Sequence, residues 1–225
     1  MATQPPQHGD PHTVEAATAA VRYLAEHGYE TTTAGELADA IGMSRSTFFR
    51  RFGSKEDVIF ADHDVALSHL DGLLATTELP PDEAITRGTV EVMHRLIRDE
   101  DAARQRSDLL KQTPALRERE LVITHRYERV FAGYLSRVAA PGTPPWAPIA
   151  LAAGIVAVHN AALRQWLRQA DARALGALER DLTELARRFA PWFGREGRAS
   201  RVVVASFDAD ASPDEVLRAV AAQLG

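Results

Sequence analysis

The chain has 225 residues, 45% hydrophobic and 25% charged, with a formal net charge of −5. That is enough apolar residue for one large domain or two small ones in an ordinary soluble composition. The absence of cysteine excludes disulfides, zinc-thiolate sites and iron–sulfur clusters, and the acidic total argues against indiscriminate nucleic-acid binding.

Residues 1–11 are rich in Pro, Gln and His and are expected to be a disordered N-terminus. They have neither the basic start nor the apolar run of a signal peptide. No stretch approaches the roughly 18 uninterrupted apolar residues of a membrane helix, so no membrane association is expected. Helical periodicity begins at Thr13, a candidate N-cap, with Val14, Ala17, Val21 and Leu24 on one face and Gly28 as a stop. AGELADAIG forms a short helix with Leu37, Ala38 and Ile41 inward, and Gly42 makes a turn. Ser44 caps a second short helix, SRSTFFRRF, which ends at Gly53. Ser54 then caps a helix expected to run unbroken to about Thr77. Further helices are read from Asp82 to about Arg98, over AARQRSDLLKQ, and from Pro114 through the following 25 residues. PGTPP at 141–145 is a loop. Two last body helices follow, APIALAAGIVAVHNAALRQWLRQ and Leu175 to Phe193. About nine helices and no strand up to Gly194 make the body all-α. Beyond it, RVVVASF reads as a strand and SPDEVLRAVAAQL as a capped helix.

The run from Ser44 to Lys55 carries Arg45, Arg50, Arg51 and Lys55 and no acid. Phe48 and Phe52, four apart, share a face and would join Leu37 and Ile41 in a small core. Ser44, Thr47 and Arg51 lie on another side, with Arg45 and Ser46 at the helix N-terminus. Three helices with a Gly turn before a short Arg/Ser/Thr-rich helix make a helix-turn-helix unit, whose second short helix enters the DNA major groove. Arg can donate two parallel hydrogen bonds to guanine, and Ser or Thr can reach phosphates or bases. Lys55, opening the next helix, is placed to hold a phosphate. The bland alternative is a solvated charge run.

These residues resemble the DNA-binding segment of the tetracycline-repressor (TetR) family of bacterial regulators. The resemblance rests on Thr33, Leu37-Ala38, Gly42-Met43-Ser44, Thr47-Phe48-Phe49-Arg50-Arg51-Phe52 and Ser54-Lys55-Glu56, and covers about residues 13–60. It implies DNA contacts from Thr33, Ser44, Arg45, Ser46, Thr47, Phe49, Arg51 and Lys55. Phe49 departs from the pattern: the family usually has Tyr there, and Phe cannot donate its hydrogen bond to a phosphate. Losing such a bond costs roughly 1 kcal/mol.

The resemblance also implies a helical body that binds a small molecule and pairs across a two-fold axis through its last two helices. Ile149, Leu151, Ala152, Ile155, Val156, Val158, His159, Ala162, Leu163 and Trp166 wrap more than one face of their helix, so more than the chain's own core is expected to cover it. A four-helix interface using Ile155, His159, Leu163, Trp166, Leu178, Leu182, Leu185, Phe189 and Trp192 would do so; a thick monomeric core is the alternative. The resemblance places an effector pocket between the middle helices, with Met93, His94, Ile97, Leu110, Ile123, Tyr127, Val130, Phe131, Trp146 and Asn160 as candidates. Most of an apolar stripe is ordinarily core; His94, Tyr127 and Asn160 are the polar handles. Residues 104–121 are also similar to relatives associated with acyl-CoA-like ligands, whose phosphates Arg104, Arg106 and Arg117 could meet.

The expected organisation is thus a disordered stretch at 1–11, a helix-turn-helix domain at 12–58, a ligand-binding and dimerisation domain at 59–194, and a strand-helix extension at 195–225. The expected function is a cytoplasmic, dimeric, ligand-responsive repressor on a palindromic operator, with no cofactor and no metal. The alternatives are an activator or ligand-independent DNA-binding protein, and a helical enzyme with a metal near Asp62-His63-Asp64 and His69. On that last reading, His63 and His69 are six apart and face away from each other, unlike a helical metal pair.

Overall fold

A computed structural model describes residues 11–169 and 173–193. The expectations for residues 1–10 and for the strand-helix extension lie outside these residues. Among the described residues there are eleven helical segments: α1 (Pro11–His27), α2 (Ala34–Ala40), α3 (Arg45–Arg51), α4 (Lys55–Ile59), α5 (Ala61–Thr76), α6 (Pro81–Leu96), α7 (Glu100–Gln112), α8 (Pro114–Val138), α9 (Trp146–Gln169), α10 (Arg173–Arg188) and α11 (Ala190–Phe193). The described residues are all-α, with an N-terminal helix-turn-helix head on a helical body.

Local chemistry sets most boundaries. Thr33, Ser44 and Ser54 are N-caps whose hydroxyls accept from the backbone N–H groups of Glu36, Thr47 and Asp57. Each such cap contributes about 1 kcal/mol. Gly28, Gly42 and Gly53 all have positive φ (85°, 72° and 86°), which ends each head helix where a side chain would be strained. Pro81 and Pro114 open α6 and α8, where the missing N–H costs nothing. The first helix begins at Pro11, so Thr13 lies inside it rather than capping it.

Two expected helices are broken. The run from Ser54 to Thr77 divides at Phe60, whose φ of −110° and ψ of 11° leave the helical region. Phe60 N–H bonds to Asp57 O at 3.3 Å and His63 N–H to Phe60 O at 3.0 Å, both three-residue steps. Neither Gly nor Pro causes this break. The Phe60 ring is buried between head and body, against His63 (5.7 Å between centroids) and beneath the Arg106 guanidinium (5.9 Å). The last body helix divides at Phe189, two residues before Pro191, which has no N–H to give and whose ring crowds the carbonyl four residues back.

One core runs through the chain. In the head, Phe48, Leu37, Leu24 and Val21 are wholly buried, with Ile41 and Phe52 half-buried beside them. Phe48 meets Phe52 edge-on at 5.6 Å. The first helix also packs on α5 and α7, so it belongs to body as well as head. In the body α5, α6, α8, α9 and α10 pack as a bundle around Leu70, Ile85, Met93, Leu135, Leu151, Ile155, Leu178 and Leu182.

Candidate DNA-binding and ligand sites

The outer surface of α3 is built from its own cap. Ser44 Oγ donates to Thr47 Oγ1 at 3.0 Å and lies 3.1 Å from Ser46 Oγ, so three hydroxyls gather at the helix N-terminus. Arg45, Ser46 and Arg50 are exposed, and Phe49 is 47% exposed, edge-on to buried Phe48. Arg45 crosses directly over Gly35 of α2: a Cβ there would stand 3.2 Å from Arg45 Nε. Glycine at 35 therefore sets how closely the Arg45 side chain lies on α2. Thr33 is exposed at the start of α2, its hydroxyl donating to Glu36 Oε2 at 2.8 Å.

Two of the candidate DNA contacts point elsewhere. Arg51 turns back and donates to Thr13 Oγ1 at 2.6 Å, tying α3 to α1. Lys55 Nζ donates to Tyr29 O at 2.8 Å and to Thr32 O at 3.3 Å, and stands 3.8 Å from the Tyr29 ring centroid. Its ammonium satisfies carbonyls of the α1–α2 connection instead of facing solvent. Tyr29 in turn donates its hydroxyl to Glu56.

In the body, a cavity of about 590 Å³ opens between α5, α6, α7, α8 and α9. The structure brings Leu110, Ile123, Tyr127, Phe131 and Asn160 to its wall. Other candidates lie away from it. Met93 and Ile97 are core, Val130 is half-buried, His94 is exposed, and Trp146 is 54% exposed and packs edge-on to Trp192 at 5.2 Å. The helix phase explains this: Val92 and Leu96 present the cavity-facing side of α6, one residue before Met93 and Ile97.

The wall also includes Phe60, His63, Arg106 and His159, together the polar and aromatic part of its buried side. Arg106 Nη2 donates to Asp62 Oδ2 at 2.6 Å, and its Nη1 lies 3.4 Å from His63 Nε2. Tyr127 Oη lies 3.3 Å from His63 Nδ1. Burial holds His63 down to about 4, with Asp62 pulling the other way. Burial alone would raise the Asp62 carboxyl, but Arg106 and His63 bring it below its ordinary value. Burial also raises the Tyr127 phenol and lowers His159. The open side of the cavity is lined by exposed Lys111, Arg117, Arg164, Arg168 and Glu120.

The aspartates flanking the Phe60 break are all held by body arginines: Asp57 by Arg119 (2.6 Å), Asp62 by Arg106 (2.6 Å) and Asp64 by Arg126 (2.5 Å). His69 pairs with Glu91 at 2.5 Å. Among the described residues no three His, Asp or Glu side chains are grouped to hold a metal ion. The ring nitrogens of His63 face a guanidinium and a phenol, those of Arg106 and Tyr127. Phe60 and His63 were not expected at the cavity, and Arg106 was expected only as a phosphate contact. The sequence signal was Asp62-His63-Asp64, whose two carboxylates meet arginines on α7 and α8.

Several residues expected at a dimer interface are inside the single chain. Ile155, Leu178 and Leu182 are at most 1% exposed and Trp166 is 4% exposed. His159 and Leu163 line the cavity. These belong to the monomer's own core and pocket; Leu185 and Phe189 stay half-buried at its edge. The reason is the width of α9's apolar surface, which feeds the core, the cavity and the exterior at once. Its outer side still exposes Ile149 (65%), Ala150, Ala153, Ala157 and Ala161 in one stripe.

The acyl-CoA-like arginines are also accounted for. Arg104 pairs with Glu100 and lies over Trp166 at 5.2 Å, Arg106 is buried, and Arg117 donates to Leu110 O and Lys111 O at 3.0 Å.

A helix-turn-helix head seated on a cavity-bearing helical body defines a DNA-binding regulator. Residues 17–61 match bacterial regulatory proteins of the tetR family, and residues 79–190 match the MftR C-terminal domain. The chain belongs to the TetR family of transcriptional regulators. It is 26% identical over 164 residues, 70% of this chain and 82% of the other, to the "Putative mycofactocin biosynthesis transcriptional regulator MftR" of Mycobacterium tuberculosis. Among solved structures it is similar in fold to NalD, the secondary repressor of the MexAB-OprM multidrug efflux pump in Pseudomonas aeruginosa. That match has a TM-score of 0.54 at 19% identity, over 79% of this chain and 97% of that one. It is also similar to the transcriptional regulator FadR from Bacillus subtilis in complex with stearoyl-CoA, with a TM-score of 0.54 at 18% identity, over 77% of this chain and 95% of that one.

Proposed function

We propose that the protein is a cytoplasmic repressor that binds a palindromic operator as a homodimer and releases it when a largely hydrophobic small molecule fills the body cavity. One observation carries this reading: Phe60 is both the break between α4 and α5 and part of the cavity wall. A ligand pressing on Phe60 or His63 acts directly on the element that orients the head.

At the head, Arg45 and the Ser44, Ser46 and Thr47 hydroxyls are the base- and phosphate-reading set, with Phe49 packed on the sugar–phosphate backbone. Thr33 adds a phosphate contact from the start of α2. Arg51 and Lys55 act one step back, by holding α3 and the α1–α2 connection in place. The occupant of the exposed α9 stripe is a second copy of the chain. By length and composition alone α9 is apolar enough to cross a membrane, yet only 44% of its most apolar stretch is buried within the chain. Small residues at Ala150, Ala153, Ala157 and Ala161 let a symmetry mate approach closely, with Leu185 and Phe189 at the margin. Two heads about 34 Å apart then read successive major grooves.

The cavity suits an apolar chain, and the cations at its mouth suit an anionic end; an acyl-CoA-like effector, of the kind bound by the Bacillus subtilis FadR, combines both. Emptying the operator requires the effector to prefer the released form by roughly 3 to 5 kcal/mol. The test is retardation of duplexes from the protein's own genome, with its salt dependence, in the presence and absence of candidate effectors. Failure to bind any duplex at low salt would reject the reading.

A further inference from the structure

The buried wall of the cavity specifies one end of its ligand. The hydrogen positions follow from what each partner can do. A guanidinium only donates. Arg106 Nη1 approaches His63 Nε2 at 3.4 Å, so that nitrogen is the acceptor and the ring proton sits on Nδ1. His63 is neutral at physiological pH because burial holds it down to about 4. Its Nδ1–H then donates to Tyr127 Oη at 3.3 Å, which leaves the phenolic hydrogen unspent. The same reasoning applies to His159. Its Nδ1 faces Asn160 Oδ1, an acceptor, at 3.2 Å, so Nδ1 carries the hydrogen. Nε2 is then a bare acceptor, and it is buried without a partner.

Tyr127 and His159 both line the cavity. Its buried side thus offers one spare O–H donor and one spare nitrogen acceptor, with the Arg106 Nε–H also unpartnered. It offers no net charge, because Arg106 and Asp62 cancel. The exposed side differs: Lys111, Arg117, Arg164 and Arg168 outnumber Glu120. An ionised group at the buried end would have to compete with Asp62 for the Arg106 guanidinium, and a methyl would leave both polar atoms unsatisfied.

We propose that the effector is an amphiphilic chain, anionic at the mouth of the cavity, whose buried end carries an uncharged hydroxyl bonded by Tyr127 and His159. The inference rests on the ligand-responsive reading above and adds the chemistry of the ligand's inner end. The hydroxyl accepts from Tyr127 O–H or donates to His159 Nε2.

Calorimetric titration of the full chain at pH 7 with dodecanoate, 12-hydroxydodecanoate and dodecanedioate tests it. All three carry the anion for the mouth and differ only at the far end. The hydroxylated chain is expected to bind about fivefold tighter than dodecanoate and at least about tenfold tighter than dodecanedioate. Burying an unpartnered hydroxyl would reverse the first of these. Tyr127→Phe and His159→Leu are each expected to shrink the preference for the hydroxyl; two variants keep the test valid if one fails to fold. Tighter binding of dodecanoate than of the hydroxylated chain, or a preference unchanged in both variants, overturns the inference while leaving the ligand-responsive repressor intact. No binding by any of the three overturns it together with the effector half of the proposed function, and leaves DNA binding to be judged by retardation alone.

Discussion

Arg106 Nη2 meets Asp62 Oδ2 at 2.6 Å, with the two side chains only 10% and 12% exposed. This pair spans α7 and the start of α5, two residues beyond the Phe60 break. Removing one partner leaves the other charged and dry. Asp62→Asn or Arg106→Met is expected to cost about 3 to 5 kcal/mol in urea unfolding. Replacing Asp64 by Asn, whose partner Arg126 is half-exposed, should cost no more than about 1 kcal/mol. Equal losses at both sites would show that burial of the Arg106–Asp62 pair is not what matters.

Arg45 and Lys55 separate two kinds of head residue. Arg45→Ala should relax sequence preference, costing about 1 to 3 kcal/mol at one base position and leaving the melting temperature unchanged. Lys55→Met should do the opposite. It strips Tyr29 O and Thr32 O of their donor, so the head should lose about 1 to 3 kcal/mol of stability. Comparing thermal melts with binding to matched and scrambled duplexes distinguishes them. A Lys55→Met chain that melts normally but binds all DNA more weakly would restore Lys55 as a phosphate contact.

Stability should fall as pH drops from 6.5 towards 4. The folded His63 binds its proton only near 4, whereas the unfolded residue binds it near 6.5. Between these values the unfolded state holds more protons, so acid favours unfolding, by up to roughly 3 kcal/mol from this residue. Groups around it act on both sides: Asp62 and Asp64 favour the charged ring, Arg106 and His159 oppose it. Buried His159 adds in the same direction, and Asp62 contributes a further loss only below its ordinary carboxylate range. Urea midpoints at pH 7 and pH 5 measure the slope, and His63→Gln should flatten it. A midpoint independent of pH over that interval would contradict the buried neutral imidazole.

Ile149→Glu, at a 65% exposed position, should leave the monomer folded and abolish its self-association. Sedimentation velocity is expected to show a monomer, and operator affinity should fall by the loss of the second head. Leu178→Glu, by contrast, places a charge in the monomer core and should unfold the chain. If the Ile149→Glu protein sediments as the wild type does, the copies pair elsewhere.

The head was legible because its signals are local. Capping hydroxyls at Ser44 and Ser54, glycines at 28, 42 and 53, and the Phe48–Phe52 spacing each act within a few residues. The break at Phe60 was not legible, since it is imposed by the body pressing on an aromatic ring, with no helix breaker in the sequence. Arg51 and Lys55 look like free cations in one dimension and find partners 38 and 26 residues away. Helix α9 misled for a related reason. A helix apolar on every side does not reveal which side meets the core, the cavity or a partner. Trp146 and Met93 show the same limit, because one residue of helical phase separates a pocket wall from bulk core.

The Phe60 break has a geometric corollary for a two-fold assembly. The proposed homodimer would contain it twice, once under each head, like the two pivots of a calliper. The grooves being gripped are fixed by the DNA, about 34 Å apart. A small swing at one pivot is therefore matched by its mirror at the other, and the jaw opening changes by the sum. In the proposed mechanism, an aromatic ring nudged within each body would thereby be converted into a misfit that rigid DNA does not accommodate.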